Sequence, residues 1–145
     1  MEYLPVKLIR PGAKQPERAT AGSVGFDIAA CLSGDVVIKP GETQMIGSGL
    51  AIALPPGYAA FIYARSGLGI RHGIIPANCV GVIDSDYRGE IIVGLRNMSG
   101  EPFKISDGDR IAQMVIVRCE LPELMLCDDL DDTRRGGGGF GSTGS

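Results

Sequence analysis

The chain has 145 residues, of which 44% are hydrophobic and 21% charged, and its formal net charge is −3. This length favours one domain, and a composition so close to the globular average excludes a wholly disordered chain. The 22 glycines and nine prolines exclude long helices. Residues 1–127 hold 13 acidic and 12 basic residues, and without a basic stripe we expect no nucleic-acid partner.

Ten short segments rich in β-branched and aromatic residues recur between glycines and prolines, and this spacing predicts an all-β sandwich or barrel. The predicted strands are residues 4–10, 26–31, 35–38, 43–54, 58–63, 74–76, 79–83, 90–97, 103–105 and 110–118. The last is an almost uninterrupted apolar run, as expected for a strand covered on both faces. One short helix is predicted to follow Ser66.

The hydrophobic pattern ends after Leu126. Residues 128–132 contain four aspartates, and residues 134–145 contain six glycines with one apolar side chain, Phe140. Such a segment has too little to bury to offset the entropy of ordering it. We therefore predict a folded domain over residues 1–127 and an acidic linker with a mobile, glycine-rich arm over 128–145. The arm is either a disordered tail or a flap that closes over a phosphate and stacks its ring on a base.

Arg65-Ser66-Gly67 places a guanidinium and a hydroxyl directly after a predicted strand, beside a glycine that lets a ligand approach the main chain. These groups bind phosphate in many proteins. The P-loop spacing is absent, and an Arg-Ser-Gly turn is also a common structural feature, so both interpretations stay open.

Residues 81–90 form an apolar strand followed by a polar turn, and they predict a hairpin whose second strand returns at Ile91. Asp84 lies where the first strand ends, in a position to act as a general base on water. The alternative is an aspartate that caps the turn, although Asp86 is the better candidate for capping. Tyr87 is either a packed aromatic residue or a platform under a sugar.

Gln113 is a polar residue inside the apolar run 110–118, so it needs hydrogen-bond partners from the main chain or from a ligand. The single histidine, His72, has no nucleophile nearby in sequence and predicts no catalytic triad. The four cysteines form no CxxC pair and predict neither a zinc site nor a redox site. No signal peptide or bilayer-spanning stretch is evident, so we expect a soluble cytoplasmic protein with no membrane partner.

Taken in order, these segments resemble the five sequence motifs of the trimeric deoxyuridine triphosphatases (dUTPases). The first is Gly25-Phe26-Asp27-Ile28 and the second is Arg65-Ser66-Gly67. The third spans residues 78–89, the fourth 108–113 and the fifth 135–144. The resemblance therefore covers nearly the whole chain from residue 24 onwards.

This resemblance implies an antiparallel jelly-roll, of the β-clip-like barrel type, and a homotrimer whose active sites lie between subunits. It also implies hydrolysis of dUTP to dUMP and pyrophosphate with Mg²⁺. That reaction limits uracil incorporation into DNA and supplies dUMP for thymidylate synthesis. The magnesium ion is expected on the triphosphate itself, without direct protein ligands.

The resemblance also implies a role for each matching residue of the nucleoside site. Asp84 would deprotonate the water that attacks the α-phosphorus. Asn78 and the main chain at Gly81 would read the uracil edge, Tyr87 would pack on the deoxyribose, and Phe140 would stack on the uracil.

Further residues would bind the phosphates or support the site. The phosphate-binding set is Arg65, Ser66, Gly67 and Gln113 in the domain, with Arg135, Gly141, Ser142 and Thr143 in the arm. Asp27 would support the metal-bound water shell or the trimer scaffold. The sequence departs from many relatives at Tyr63-Ala64, where an alanine and a proline are common before the motif arginine.

Two other functions compete with this one. A dCTP deaminase shares the fold and the phosphate site, but it needs a glutamate directed at the cytosine ring, whereas this chain has Ile83-Asp84-Ser85-Asp86-Tyr87. A non-catalytic jelly-roll that only binds a nucleotide is the second alternative, because fold does not determine function.

Overall fold

The computed structural model describes residues 1–139. This part of the chain contains eleven strands and one short helix, and every strand pair is antiparallel. The all-β prediction is confirmed. The elements are β1 (Val6–Leu8), β2 (Phe26–Ala29), β3 (Val36–Ile38), β4 (Thr43–Gly47), β5 (Leu50–Ile52), β6 (Tyr58–Tyr63), α1 (Ser66–His72), β7 (Ile74–Pro76), β8 (Gly81–Ile83), β9 (Ile92–Asn97), β10 (Phe103–Ile105) and β11 (Arg110–Arg118).

The strands form four sheets, with the orders β2-β11-β6-β8, β4-β9-β7, β1-β5 and β10-β3. Strand β11 lies inside the largest sheet, paired with β2 on one edge and with β6 on the other. No residue from Ile111 to Val117 is fully exposed, as predicted for a strand covered on both faces. The short helix predicted after Ser66 is also present.

The segment 43–54, predicted as one strand, is two strands in different sheets. The chain turns at Ser48-Gly49, where Gly49 has a φ of 69°, in the left-handed region that favours glycine. A Cβ at Gly49 would lie 2.6 Å from the Cβ of Ala13. The break therefore lies in Gly47-Ser48-Gly49, a turn signal inside the segment predicted as one strand.

The hairpin predicted over residues 81–95 is wrong in its pairing. The turn exists, because the Tyr87 N–H donates to the Asp84 carbonyl at 3.2 Å, but β8 pairs with β6 whereas β9 pairs with β4 and β7. The Ile91 N–H donates to the Leu50 carbonyl at 2.8 Å, which directs the chain into the other sheet. The loop after β8 consequently connects two sheets.

One apolar core joins the four sheets. Ile28, Ile38, Ile46 and Leu50 each come from a different sheet, and all are fully buried. From residue 120 to residue 139 no residue is buried and no helix or strand forms. Within the described residues, no helix is both long and apolar enough for a membrane crossing.

The neighbouring residues Ile38 and Val37 on β3 test the position of the core. Ile38 is 0% exposed and Val37 is 49% exposed. Ile38→Ala should lower the free energy of unfolding by about 2–5 kcal/mol, because it leaves a cavity. Val37→Ala should change it by no more than about 0.5 kcal/mol. Urea denaturation followed by circular dichroism measures both, and equal losses would contradict the assignment.

Candidate active site

The Asp27 carboxylate connects three segments of the largest sheet. Asp27 lies on β2, opposite Gln113 of β11. Its Oδ1 accepts a hydrogen bond from Arg65 Nε at 2.7 Å, and its Oδ2 accepts one from Arg110 Nη1 at 3.0 Å. Only 18% of the Asp27 side chain is exposed. We call Asp27, Arg65 and Arg110 the Asp27 junction; it fixes the direction of the motif arginine, Arg65.

Gln113 holds the residue that precedes Arg65. Its Nε2 donates to the Ala64 carbonyl at 2.8 Å, so the main chain supplies one partner, and the second hydrogen on Nε2 has no partner within residues 1–139. Its Oε1 lies against Gly25, where a Cβ would be only 2.8 Å away. Gly25 of the first motif and Gln113 of the fourth are therefore packed together.

Ser66 and Gly67 begin α1 and are exposed. A side chain at Gly67 would meet no atom of the described residues within 4 Å. The Ser66 hydroxyl and the main chain at Gly67 are thus accessible to a ligand, next to the oriented guanidinium of Arg65.

A cleft lies beside β8. One part, with a volume of about 170 Å³, is lined by Asn78 and Gly81 together with apolar residues. A Cβ at Gly81 would lie 3.1 Å from the Cβ of Ile62 and 3.7 Å from Asn78 Nδ2. The glycine therefore keeps the space in front of the Asn78 amide open.

The second part of the cleft, of about 180 Å³, is lined by Asp84, Tyr87 and Glu90. Both parts share Val82, Ile83 and Ile92. We call the two parts together the β8 cleft. It brings together the four residues predicted from the third motif.

Asp84 is exposed, and its carboxylate accepts no hydrogen bond from any residue in 1–139. The turn that follows it is closed by the main chain, so the alternative in which Asp84 caps the turn is wrong. The Asp86 carboxylate also accepts no hydrogen bond from residues 1–139, so it does not cap this turn either. Asp84 is left free to accept a proton from a water molecule at the mouth of the β8 cleft.

Tyr87 is fixed at its hydroxyl and open on its ring. Its Oη donates to the Glu90 carbonyl at 2.9 Å, and 43% of the residue is exposed. A Cβ at Gly89 would overlap the hydroxyl. The ring is held in place and accessible to solvent, as a platform for a sugar requires.

The Asp27 junction and Asp84 lie far apart in one chain. Ile83 pairs with Ala60 near one end of β6, whereas Arg65 follows the other end with an extended backbone (φ −81°, ψ 136°). At a rise of about 3.3 Å per residue, the two points are on the order of 15–20 Å apart along the strand. A single copy therefore presents two separate groups of candidate residues.

In the arm, Arg135 is exposed and its Nε donates to the Gly138 carbonyl at 2.9 Å. The predicted residues Phe140, Gly141, Ser142 and Thr143 lie outside the described residues. Sequence reasoning missed Arg110 and Glu90. The signal for Arg110 was its place at the start of β11, three residues before Gln113, where it lies beside Asp27.

The described residues offer no ready set of protein ligands for a metal ion. No group of three histidine, cysteine, aspartate or glutamate side chains is clustered within residues 1–139. Both oxygens of Asp27 already accept hydrogen bonds from arginines, so direct coordination there would disrupt the Asp27 junction. A magnesium ion that arrives on a triphosphate needs no such set.

A family model described as dUTPase matches residues 12–144. The chain belongs to the dUTPase family. Among curated relatives in this family, the deoxyuridine 5'-triphosphate nucleotidohydrolase of Desulfitobacterium hafniense is 54% identical over 132 residues, which are 90% of this chain and 87% of the relative. The recognition made from the five motifs is confirmed.

Solved structures of dUTPases have the same fold. A variant of the Staphylococcus bacteriophage 80alpha dUTPase, with dUpNHpp, has a TM-score of 0.91 and 27% identity, with 100% of both chains covered. A variant from phage phi11 of S. aureus, described with a structural Mg(II) ion, has a TM-score of 0.80 and 27% identity over 88% of this chain and 98% of that one. These similarities confirm the jelly-roll expectation.

The Asp27 junction can be tested against an exposed ion pair. Asp27→Asn removes the charge shared by two arginines and should lower the free energy of unfolding by about 1–3 kcal/mol. The control is Asp35→Asn. Lys104 Nζ donates to Asp35 at 3.0 Å and lowers the pKa of this carboxyl, but both side chains are at least half exposed. The control should therefore unfold at nearly the wild-type urea concentration; an Asp27 variant with the same midpoint would contradict the role of the junction.

Proposed function

We propose that this chain hydrolyses dUTP to dUMP and pyrophosphate as a homotrimer with shared active sites. The observation that carries the proposal is the free, exposed carboxylate of Asp84 at the mouth of a cleft lined by Asn78 and Gly81, in a member of the dUTPase family. Production of dUMP for thymidylate synthesis and removal of dUTP belong to nucleotide metabolism in the cytoplasm.

The β8 cleft would bind the nucleoside. The Asn78 amide has both a donor and an acceptor, which matches the edge of uracil, and Gly81 leaves the main chain close to that edge. The fixed ring of Tyr87 would pack against the deoxyribose, so that an added 2′-hydroxyl meets an obstacle. Selection against UTP would then be steric.

Asp84 would act as the general base. A carboxylate that is not engaged with the protein can take a proton from water as that water attacks the α-phosphorus, in line with the departing pyrophosphate. The protein then has to position the water and neutralise the charge that develops on the phosphates.

The phosphate-binding groups would come from a second subunit. Arg65, Ser66, Gly67 and Gln113 are too far from Asp84 within one copy to contact the same α-phosphate. Arg65 donates to Asp27 through Nε and to the Arg110 carbonyl through Nη1, so the hydrogens on Nη2 are available for phosphate oxygens. The Asp27 junction would thereby orient Arg65 without using up its donors.

The arm of residues 128–145 would complete the site from outside the domain of residues 1–127. Arg135, Gly141, Ser142 and Thr143 would bind the terminal phosphate, and Phe140 would stack on the uracil. The composition of the arm supports this role. Its closure would exclude bulk water from the reaction.

Mg²⁺ would enter as part of the substrate, on the triphosphate, where it neutralises phosphate charge. Asp27 would act only at a distance from it, because both of its oxygens accept hydrogen bonds from arginines. The phage phi11 dUTPase provides a family precedent for a bound Mg(II) ion.

Pyrophosphate release from dUTP, dTTP, dCTP and UTP, measured with Mg²⁺ present, tests the function. We expect dUTP to be hydrolysed in strong preference to the other three, because Asn78 and Tyr87 select the base and the sugar. Ammonia release from dCTP would instead identify a deaminase. Nucleotide binding without turnover would identify a binding module.

Asp84→Asn tests the general base. The amide keeps the size of the side chain but cannot take the proton, so turnover should fall at least about 100-fold, while affinity for dUTP stays close to wild type. Asp86→Asn, two residues later and equally free of hydrogen bonds in the described residues, is the matched control and should retain near-wild-type turnover. Pyrophosphate release and isothermal titration separate the two effects; undiminished turnover in the Asp84 variant would refute its role.

A further inference from the structure

We propose that Arg10 and Glu90 are positioning residues for Tyr87, and that their ion pair, seated over Gly47, sets the affinity for dUTP and its selection over UTP. This kinetic consequence rests on the proposed function; the anchoring of the loop itself does not. Neither residue belongs to the groups that contact substrate in that proposal.

Glu90 anchors the end of the loop that follows β8. Its Oε1 accepts hydrogen bonds from Arg10 Nη2 and from the Gly49 N–H, the latter at 2.8 Å. The Glu90 side chain is 20% exposed. Arg10 is 80 residues away in sequence and lies just beyond β1, where the Ile9 N–H donates to the Gly49 carbonyl at 2.8 Å. The loop is thus attached to two other segments through one carboxylate.

Gly47 provides the space for this pair. A Cβ at Gly47 would overlap Arg10 Nη2 and would lie 2.7 Å from Glu90 Oε1. Gly47 is not among the described residues with positive φ, so its backbone conformation does not require glycine. The requirement comes from the ion pair, which lies where a side chain would otherwise be.

The anchor is transmitted to Tyr87 through the main chain of Glu90. The Tyr87 hydroxyl donates to the Glu90 carbonyl at 2.9 Å, so a displaced residue 90 displaces the ring. Ile91 is independently held by Leu50 and by the Ser48 hydroxyl, which donates to its carbonyl at 2.6 Å. Loss of the ion pair therefore affects the loop between Ile83 and Ile91, and leaves the strands that follow in place.

An exposed ion pair on its own contributes little to stability. Here Glu90 Oε1 also accepts the Gly49 N–H, and Gly47 leaves room for the ion pair. Glu90 lines the part of the β8 cleft that is also lined by Asp84 and Tyr87. The effect we infer is on the position of Tyr87, and therefore on substrate binding, more than on the unfolding equilibrium.

The experiment compares Arg10→Met, Glu90→Gln and Gly47→Ala with a control, Lys104→Met, which breaks the exposed Lys104–Asp35 pair elsewhere on the surface. Each full-length variant is assayed for kcat and KM with dUTP and with UTP. Amide hydrogen exchange without nucleotide is measured for residues 84–91 and for β11. Glu90→Gln is nearly isosteric and still offers an oxygen to Gly49, so it serves if Gly47→Ala does not fold.

We expect the three site variants to raise KM for dUTP about 3- to 10-fold with kcat changed less than about twofold, the pattern of lost binding. Their preference for dUTP over UTP should fall about fivefold, because the steric obstacle is no longer held in place. The Tyr87 amide should exchange faster while β11 stays protected. Arg10→Lys, which keeps the charge, should restore most of the affinity, and Lys104→Met should match wild type.

The inference is overturned if Glu90→Gln and Arg10→Met keep the wild-type KM, the wild-type preference for dUTP over UTP and the wild-type exchange rate of the Tyr87 amide. That result would leave the proposed function intact. Faster exchange throughout β11 would also overturn it, since the pair would then act only on global stability. If the wild-type protein released no pyrophosphate from dUTP, both the proposed function and the kinetic part of this inference would be refuted. The exchange data would still decide whether the pair anchors the loop.

Discussion

The sharing of one carboxylate by two arginines governs how this chain presents Arg65, a residue proposed to bind phosphate. Asp27 on β2 receives Arg65, which follows β6, and Arg110, which opens β11. The antiparallel register places Gln113 opposite both Asp27 and Tyr63, so three strands must be aligned before the carboxylate can receive both cations. Once these three strands are aligned, the direction of Arg65 and the position of the Ala64 carbonyl are fixed together. Residues from the first, second and fourth motifs become one unit although they are scattered along the sequence.

The third motif solves a different problem. For the proposed reaction it needs a carboxylate that the protein leaves free and an aromatic ring that the protein holds still, a few residues apart. The main-chain turn between Asp84 and Tyr87 closes without using the acid, and the Tyr87 hydroxyl is satisfied by the Glu90 carbonyl. The two groups of residues are separated along β6, and under the proposed function a second subunit would bridge that separation.

Much of the fold was predictable from the sequence, because periodicity and glycine or proline punctuation are local signals. The bounds of β6, β7, β10 and β11 match the prediction residue for residue, and α1 follows Ser66 as expected. The pattern could not indicate which strands pair with one another. The run 43–54 contains Gly47-Ser48-Gly49, but glycines inside a strand pattern can mark a bulge as well as a turn. Ile91 fits a hairpin with β8 as well as it fits its actual hydrogen bond to Leu50. For the site, Asp84 and Gln113 stood out by position, whereas Arg110 and Glu90 are defined by partners 83 and 80 residues away.

The loop between β8 and β9 passes from one sheet to another, so the walls of the β8 cleft belong to different layers. Val82 and Ile83 come from the four-stranded sheet, while Ile92 comes from the three-stranded one. Ile83 also packs on the interior cluster, and Val93, next to Ile92, belongs to it. The width of the β8 cleft therefore depends on how these two sheets pack against each other. A substitution in the hydrophobic interior that shifts one sheet against the other should therefore also change the shape of the cleft.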